Sequence, residues 1–182
     1  LETTYGIPAY TFPEQRELEQ RIVDWIQDTD QPLFLFGYSL GKAQKIQHLV
    51  REATDRPIVA HGAVQKMNSA VEELTDMEFN SVPYGENKDL LEKDGIFIGP
   101  TNFSRNDALN KLVENVDGVK AGFSGWAATG SYQYRGGYEV TFPMSDHADF
   151  DELVETVKQV DPEKVYTTHG FDEAFASYLS RE

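Results

Sequence analysis

Apolar positions along the chain fall into two alternating rhythms. From Pro13 to about Asp30, Leu18, Ile22, Trp25 and Ile26 recur at helical spacing, and Pro13 and Glu14 suit a helix start. Leu33-Phe34-Leu35-Phe36 then forms an unbroken apolar run closed by Gly37, which predicts a strand buried on both faces. The pair repeats. Ile46, Leu49 and Val50 mark a helix over 42–53, and Pro57-Ile58-Val59-Ala60 a strand. A helix over 63–74 precedes the strand Gly95–Pro100, and a helix over 107–116 precedes the strand Val119–Phe123. From Tyr132 the texture changes. Tyr138-Glu139-Val140-Thr141-Phe142 alternates like a half-exposed strand, followed by a helix over 150–160, a strand over Lys164–Thr168 and a last helix over 173–179. Short strands alternating with longer helices predict an α/β fold, a mostly parallel sheet flanked by helices, with a boundary near 132–143.

Composition narrows the function classes. With 182 residues, 40% of them hydrophobic, the chain can build a core and suits one domain, or a small domain plus part of another. No apolar run approaches the ~18 residues of a membrane helix, and no basic-apolar leader is present, so a cytoplasmic protein with no membrane partner is expected. The absence of cysteine excludes disulfide frameworks, thiolate zinc fingers and Cys nucleophiles. The net charge of −15, from 31 acidic and 16 basic side chains, should repel polyanions at low salt. The acids are spread along the chain, which reads as adaptation to a haloarchaeal interior where molar salt screens them; an ordinary acidic bacterial domain is the alternative.

Two constellations could carry chemistry. Gly37-Tyr38-Ser39-Leu40-Gly41 is a GxSxG run between a predicted strand and helix, the context of a nucleophile elbow. Ser39 followed by Asp146 or Asp149 and then His169 has the residue order of an α/β-hydrolase triad, although no oxyanion-hole loop precedes it. A phosphate-binding loop is excluded, because the glycine spacing falls one short and Ala43 stands where Ser or Thr would ligate magnesium. Of the four histidines, His48 should face solvent, and His61, after a strand end and before Gly62, should serve in a loop or cap a helix and not act in catalysis. His147 lies in the polar cluster Met144-Ser145-Asp146-His147-Ala148-Asp149, in which Asp149 can cap the next helix. His169 ends a predicted strand before Gly170. Imidazole and carboxylates so placed suit zinc or manganese.

Glu2-Thr3-Thr4-Tyr5-Gly6 resembles the E-[ST]-T-[YF]-G segment of β-CASP nucleases, metallo-β-lactamase-fold enzymes that include RNase J, archaeal mRNA 3′-end processing factors and ligase-associated exonucleases. Gly41-Lys42-Ala43-Gln44 resembles the family's G-[RK]-A-Q helix start, and Phe123-Ser124-Gly125-Trp126 its S-G-W segment. Ser145-Asp146-His147-Ala148-Asp149 and Thr168-His169-Gly170 resemble its S-x-H-x-D and closing H-G segments. The ordered set covers the whole chain.

The resemblance implies a metal-dependent nuclease cleaving RNA or single-stranded DNA at a two-zinc centre, with manganese as the alternative metal. His147 would act at the scissile phosphate, oriented by Glu2, and His169 would ligate a metal. Ser145 would hydrogen-bond a phosphate. Asp146, typical of the ligase-associated branch, and Asp149 would support the site from behind, and Arg135 would contact a phosphate. Trp126, Tyr132 or Tyr134 could stack on bases, with packing at the domain seam favoured for Trp126. The family's HxHxDH segment, a further His and a bridging Asp are not in this sequence. The resemblance therefore implies the C-terminal half of a nuclease, inactive without its upstream metallo-β-lactamase half. Residues 1–6 would end the metallo-β-lactamase part, 7–142 form the β-CASP domain and 143–182 close the metallo-β-lactamase part. A homodimer is implied by family habit. A non-catalytic nucleic-acid-binding subunit and a serine hydrolase using Ser39 are the alternatives.

Overall fold

Leu33–Gly37 (β1) is buried at every residue, as an unbroken apolar run requires. It forms the middle of a six-stranded sheet in a computed structural model that describes residues 1–181. The helices are α1 (Gln15–Gln27), α2 (Lys42–Ala53), α3 (Gly62–Glu72), α4 (Asp107–Asn115), α5 (Ser131–Gly136), α6 (Phe150–Val160) and α7 (Asp172–Leu179). The remaining strands are β2 (Ile58–Ala60), β3 (Val82–Pro83), β4 (Ile96–Pro100), β5 (Val119–Phe123) and β6 (Val140–Phe142). Their order across the sheet is β3-β2-β4-β1-β5-β6, with every pairing parallel. The predicted α/β architecture is the observed one.

Side-chain alternation sorts the two faces by chemistry. Leu33 and Leu35 of β1 join Ile96 and Ile98 of β4 on an aliphatic face covered by α1 and α2. Phe34, Phe36 and Phe97 point the other way, into a layer with Leu109, Val113, Tyr132 and Tyr138. A period of two makes this separation automatic once the register is set. A third, smaller core joins α6 to α7 through Phe150, Leu153, Val154 and Phe175.

Lys120 interrupts the apolar lining of β5. It is buried, and its ammonium donates to Ser104 O (2.7 Å), Asn110 Oδ1 (3.0 Å) and Gly136 O (3.2 Å). One cation thereby ties the 3₁₀ turn over Thr101–Arg105, helix α4 and the end of α5 to the sheet. Burial pushes its pKa down. Lys120→Met keeps the stem but leaves buried acceptors unpaired, at an expected cost of about 3 kcal/mol; an unchanged melting temperature would show that the three contacts add nothing.

Two expectations need correction. Lys164–Thr168 is not a strand of the sheet; it makes one parallel bridge, Glu2 to Thr168. The segment is extended, but among the described residues its only backbone partners are Leu1, Glu2 and Thr3, too few for a ladder. The region after Phe123 also carries a 3₁₀ turn (Gly125–Ala128) and α5, which no apolar period announced because both are short.

Candidate active site

Four of the motif segments converge on one seam, and glycines explain why. Thr3 is fully buried; its hydroxyl donates to His169 O (2.8 Å), and its carbonyl accepts from both Gly6 N and Phe171 N. His169 and Gly170 have φ of +64° and +63°, two successive left-handed residues that turn the chain over Thr3 and Thr4. A Cβ on Gly170 would lie 2.5 Å from Thr4 Cα. The Tyr5 ring, buried, packs edge-on against Trp126 (5.1 Å between centroids) and against Phe12 (5.0 Å). It fits only because Gly125 has no side chain: a Cβ there would lie 2.5 Å from the Tyr5 ring. Trp126 thus packs at the seam, as favoured, whereas Tyr132 is buried against Tyr138 and is not free to stack on a base; Tyr134 is the exposed aromatic of this region.

On this seam Glu2 and His147 meet. His147 Nδ1 lies 2.5 Å from Glu2 Oε2, between residues 145 positions apart. Because a carboxylate only accepts, Nδ1 carries the proton, and Nε2 is left without a partner among the described residues. The Thr4 hydroxyl donates to the other Glu2 oxygen. Ser145 Oγ accepts from His147 N (3.0 Å) and donates back to His147 O (3.3 Å), so this serine shapes the loop that carries the imidazole. His169 follows Thr168, the bridge partner of Glu2, which places it beside the pair; its Nδ1 is 3.1 Å from Thr168 Oγ1.

The Thr4 hydroxyl, and after it His147, hold the Glu2 carboxyl below its ordinary pKa of 4.5. A carboxylate whose folded pKa is lowered contributes its contact above the unfolded value and loses it as pH falls through the depressed one. The Glu2 carboxyl carbon signal in an NMR titration is therefore expected to have its midpoint below pH 4.5. A midpoint at or above 4.5 would show that the pairing is not made in solution.

The other expected site residues are engaged in other contacts or face another cleft. Asp149 is buried; its carboxylate caps α6 through Glu152 N (2.9 Å) and also takes Phe12 N (2.7 Å). Its oxygens are used by the backbone, so it supports structure and not substrate. Asp146 pairs with the buried Lys42 at 3.3 Å, which pins the loop before His147 to the start of α2. Arg135 opens onto a second cleft and does not line the one beside His147. The cleft beside His147 is itself walled by Glu14, Glu19, Asp146, Asp149, Asp151 and Glu152, with Lys45 the only lysine or arginine among its described lining residues. Lys42 was the missed residue; a lysine opening a helix gives no sign of burial until its neighbours are known.

The hydrolase triad is not assembled. Asp146, Asp149 and His169 are engaged as described, and Ser39 has no hydrogen bond to a histidine among the described residues. Ser39 is a turn residue whose carbonyl accepts from Gln44. His48 faces solvent and His61 caps α3 through Ala63 N, both as expected.

Residues 140–182 match the family model of the Zn-dependent metallo-hydrolase RNA specificity domain. The domain accompanies β-CASP and metallo-β-lactamase domains, so the resemblance read from the motifs stands. A "Probable DNA ligase" of Opitutus terrae is 33% identical over 183 residues, covering 98% of this chain and 17% of that protein. "DNA ligase 6" of Arabidopsis thaliana is 28% identical over 192 residues, covering 94% of this chain and 13% of that protein. The chain thus spans less than a fifth of the length of these curated relatives.

The family implies zinc. Among the described residues no three His, Asp or Glu side chains converge on a point that could hold a metal ion, so these residues do not by themselves fit a zinc centre. His169 can offer one imidazole, beside the Glu2–His147 pair. No helix among the described residues is long and apolar enough to cross a membrane.

Proposed function

We propose that this chain is the proton-delivering and strand-clamping part of a cytoplasmic metal-dependent nuclease that hydrolyses phosphodiester bonds in RNA or single-stranded DNA. The observation that carries the reading is the 2.5 Å contact between Glu2 and His147, made by two segments 145 positions apart, with Glu2 also bridged to Thr168, the residue before His169. In hydrolysis a water oxygen bonds to phosphorus and the bond to the leaving sugar oxygen breaks. His147, charged and held through Nδ1 by Glu2, gives its Nε2 proton to that oxygen and ends neutral. Residues 7–142 would form the β-CASP clamp, with 1–6 and 143–182 belonging to the metallo-β-lactamase part. The remaining metal ligands, for zinc or manganese, would come from residues outside these 182, and a homodimer is the assembly we expect.

Cleavage of end-labelled single-stranded RNA and DNA by the full-length protein, in high potassium chloride, tests this. Loss of cleavage on chelation and in His147→Ala, with Ser39→Ala active, is the expected pattern. A folded, zinc-loaded protein that cuts neither polymer would sink the nuclease reading and favour a non-catalytic binding subunit.

A further inference from the structure

Arg105 and Arg135 make no ion pair and no side-chain hydrogen bond among the described residues, although the chain has 31 acids against 16 bases. Both open onto the same cleft, at the carboxyl ends of β1 and β4. There the connections part: β1 leads through α2 towards the β3 edge, and β4 leads through α4 towards the β6 edge. Ligands of open parallel sheets gather at such a reversal of strand order. The cleft also stands apart electrostatically. No Asp or Glu lines it, while each of the four other principal clefts carries at least two.

Its wall is built and fixed. The rings of Tyr132 and Tyr138 stack at 5.4 Å and 28°. Tyr138 lies against two bare glycines, where a Cβ would come within 2.6 Å (Gly122) and 2.0 Å (Gly136) of its ring. Tyr138 is only 4% exposed, and its hydroxyl is buried with no hydrogen-bond partner among the described residues. At the mouth Tyr38 is 60% exposed and offers a planar face. A volume of about 710 Å³ falls within the range of small-ligand pockets.

We propose that this cleft is a binding subsite for a phosphorylated nucleoside. Arg105 and Arg135 take the phosphate through their planar donor forks. Tyr38 stacks on the base, above the wall that Tyr132 and Tyr138 form. The nucleoside is either a free mononucleotide or one residue of a strand. The strand source rests on the nuclease reading and has a route to it: Lys42 Nζ lies 5.6 Å from the Tyr38 ring centroid and 3.3 Å from Asp146, next to His147.

The test is a titration of the full chain, followed by amide NMR, with adenosine and uridine 5′-monophosphates, inorganic phosphate and a single-stranded decanucleotide RNA. Both mononucleotides are expected to shift Tyr38, Arg105 and Arg135. The double variant Arg105→Gln/Arg135→Gln should weaken them at least about tenfold, while Arg21→Gln on α1 leaves them unchanged. Should the double variant fail to fold, Tyr38→Ala on the exposed ring carries the test and should weaken the mononucleotides but not phosphate. Equal affinity in these variants, or inorganic phosphate bound as tightly as the mononucleotides, would overturn the proposal. A decanucleotide held at least about tenfold tighter than a mononucleotide assigns the subsite to a strand, and equal affinity assigns it to a free nucleotide; both outcomes support it. Cleavage plays no part in these titrations, so failure of the nuclease reading and failure of the subsite remain distinguishable.

Discussion

His147→Ala is expected to lower the rate of strand cleavage by about 10³-fold, the scale of a positioned general acid, while leaving the fold intact. The imidazole is half exposed, with 49% of its side-chain surface open, and it touches the core only at the edge of the Tyr5 ring, 6.2 Å between centroids. With half of its surface open to solvent, little packing is lost with it. Glu2→Gln should be milder, about 10- to 100-fold, because it removes a charge-assisted hydrogen bond and leaves the imidazole in place. Substrate affinity measured with a non-cleavable strand should barely change in either variant. If His147→Ala cuts at the parental rate, another group delivers the proton and the seam is structural only.

Gly170→Ala should be among the most destabilising single-methyl additions in the chain, costing about 3 kcal/mol. Three causes act together. The residue sits at φ +63°, a conformation that alanine adopts only with strain. Its Cβ would enter backbone, 2.5 Å from Thr4 Cα and 2.8 Å from the Thr3 and Thr4 carbonyl oxygens. That backbone has little freedom to retreat, because Thr3 is fully buried and its carbonyl holds both Gly6 N and Phe171 N. A fall of about 6–12 °C in melting temperature is the corresponding scale for a chain of this size. The same displacement would shift Glu2 away from His147, so the NMR signature of their contact should vanish in the same variant. Gly130→Ala is the control, since nothing lies within 4 Å of a Cβ there and its φ of −57° suits alanine. Equal melting temperatures for the two variants would show that the seam is looser than its contacts indicate.

The fold was largely legible in the order of residues. The β1 and β5 runs and the period of α2, α4 and α6 depend on local burial, which a repeating apolar pattern records directly. Short elements escaped: Val82–Pro83, α5 and the 3₁₀ turns hold too few residues to show a period. Lys164–Thr168 has a strand's composition, but a strand is made by its neighbours, and here Leu1 to Thr3 are its only backbone partners among the described residues.

For the site, the sequence by itself determined which chemistry is available: an acid at Glu2, imidazoles at His147 and His169, and glycines marking where the backbone turns or a ring lies close. Only the tertiary structure decided how these groups are used. It brought Glu2 within 2.5 Å of His147, committed Asp149 to a helix cap and Asp146 to Lys42, and left Arg105 and Arg135 unpaired in one acid-free cleft. The reason is physical. A side chain's type fixes what it can donate, accept or neutralise, whereas its partners are set by packing between segments that the chain order keeps as much as 145 residues apart.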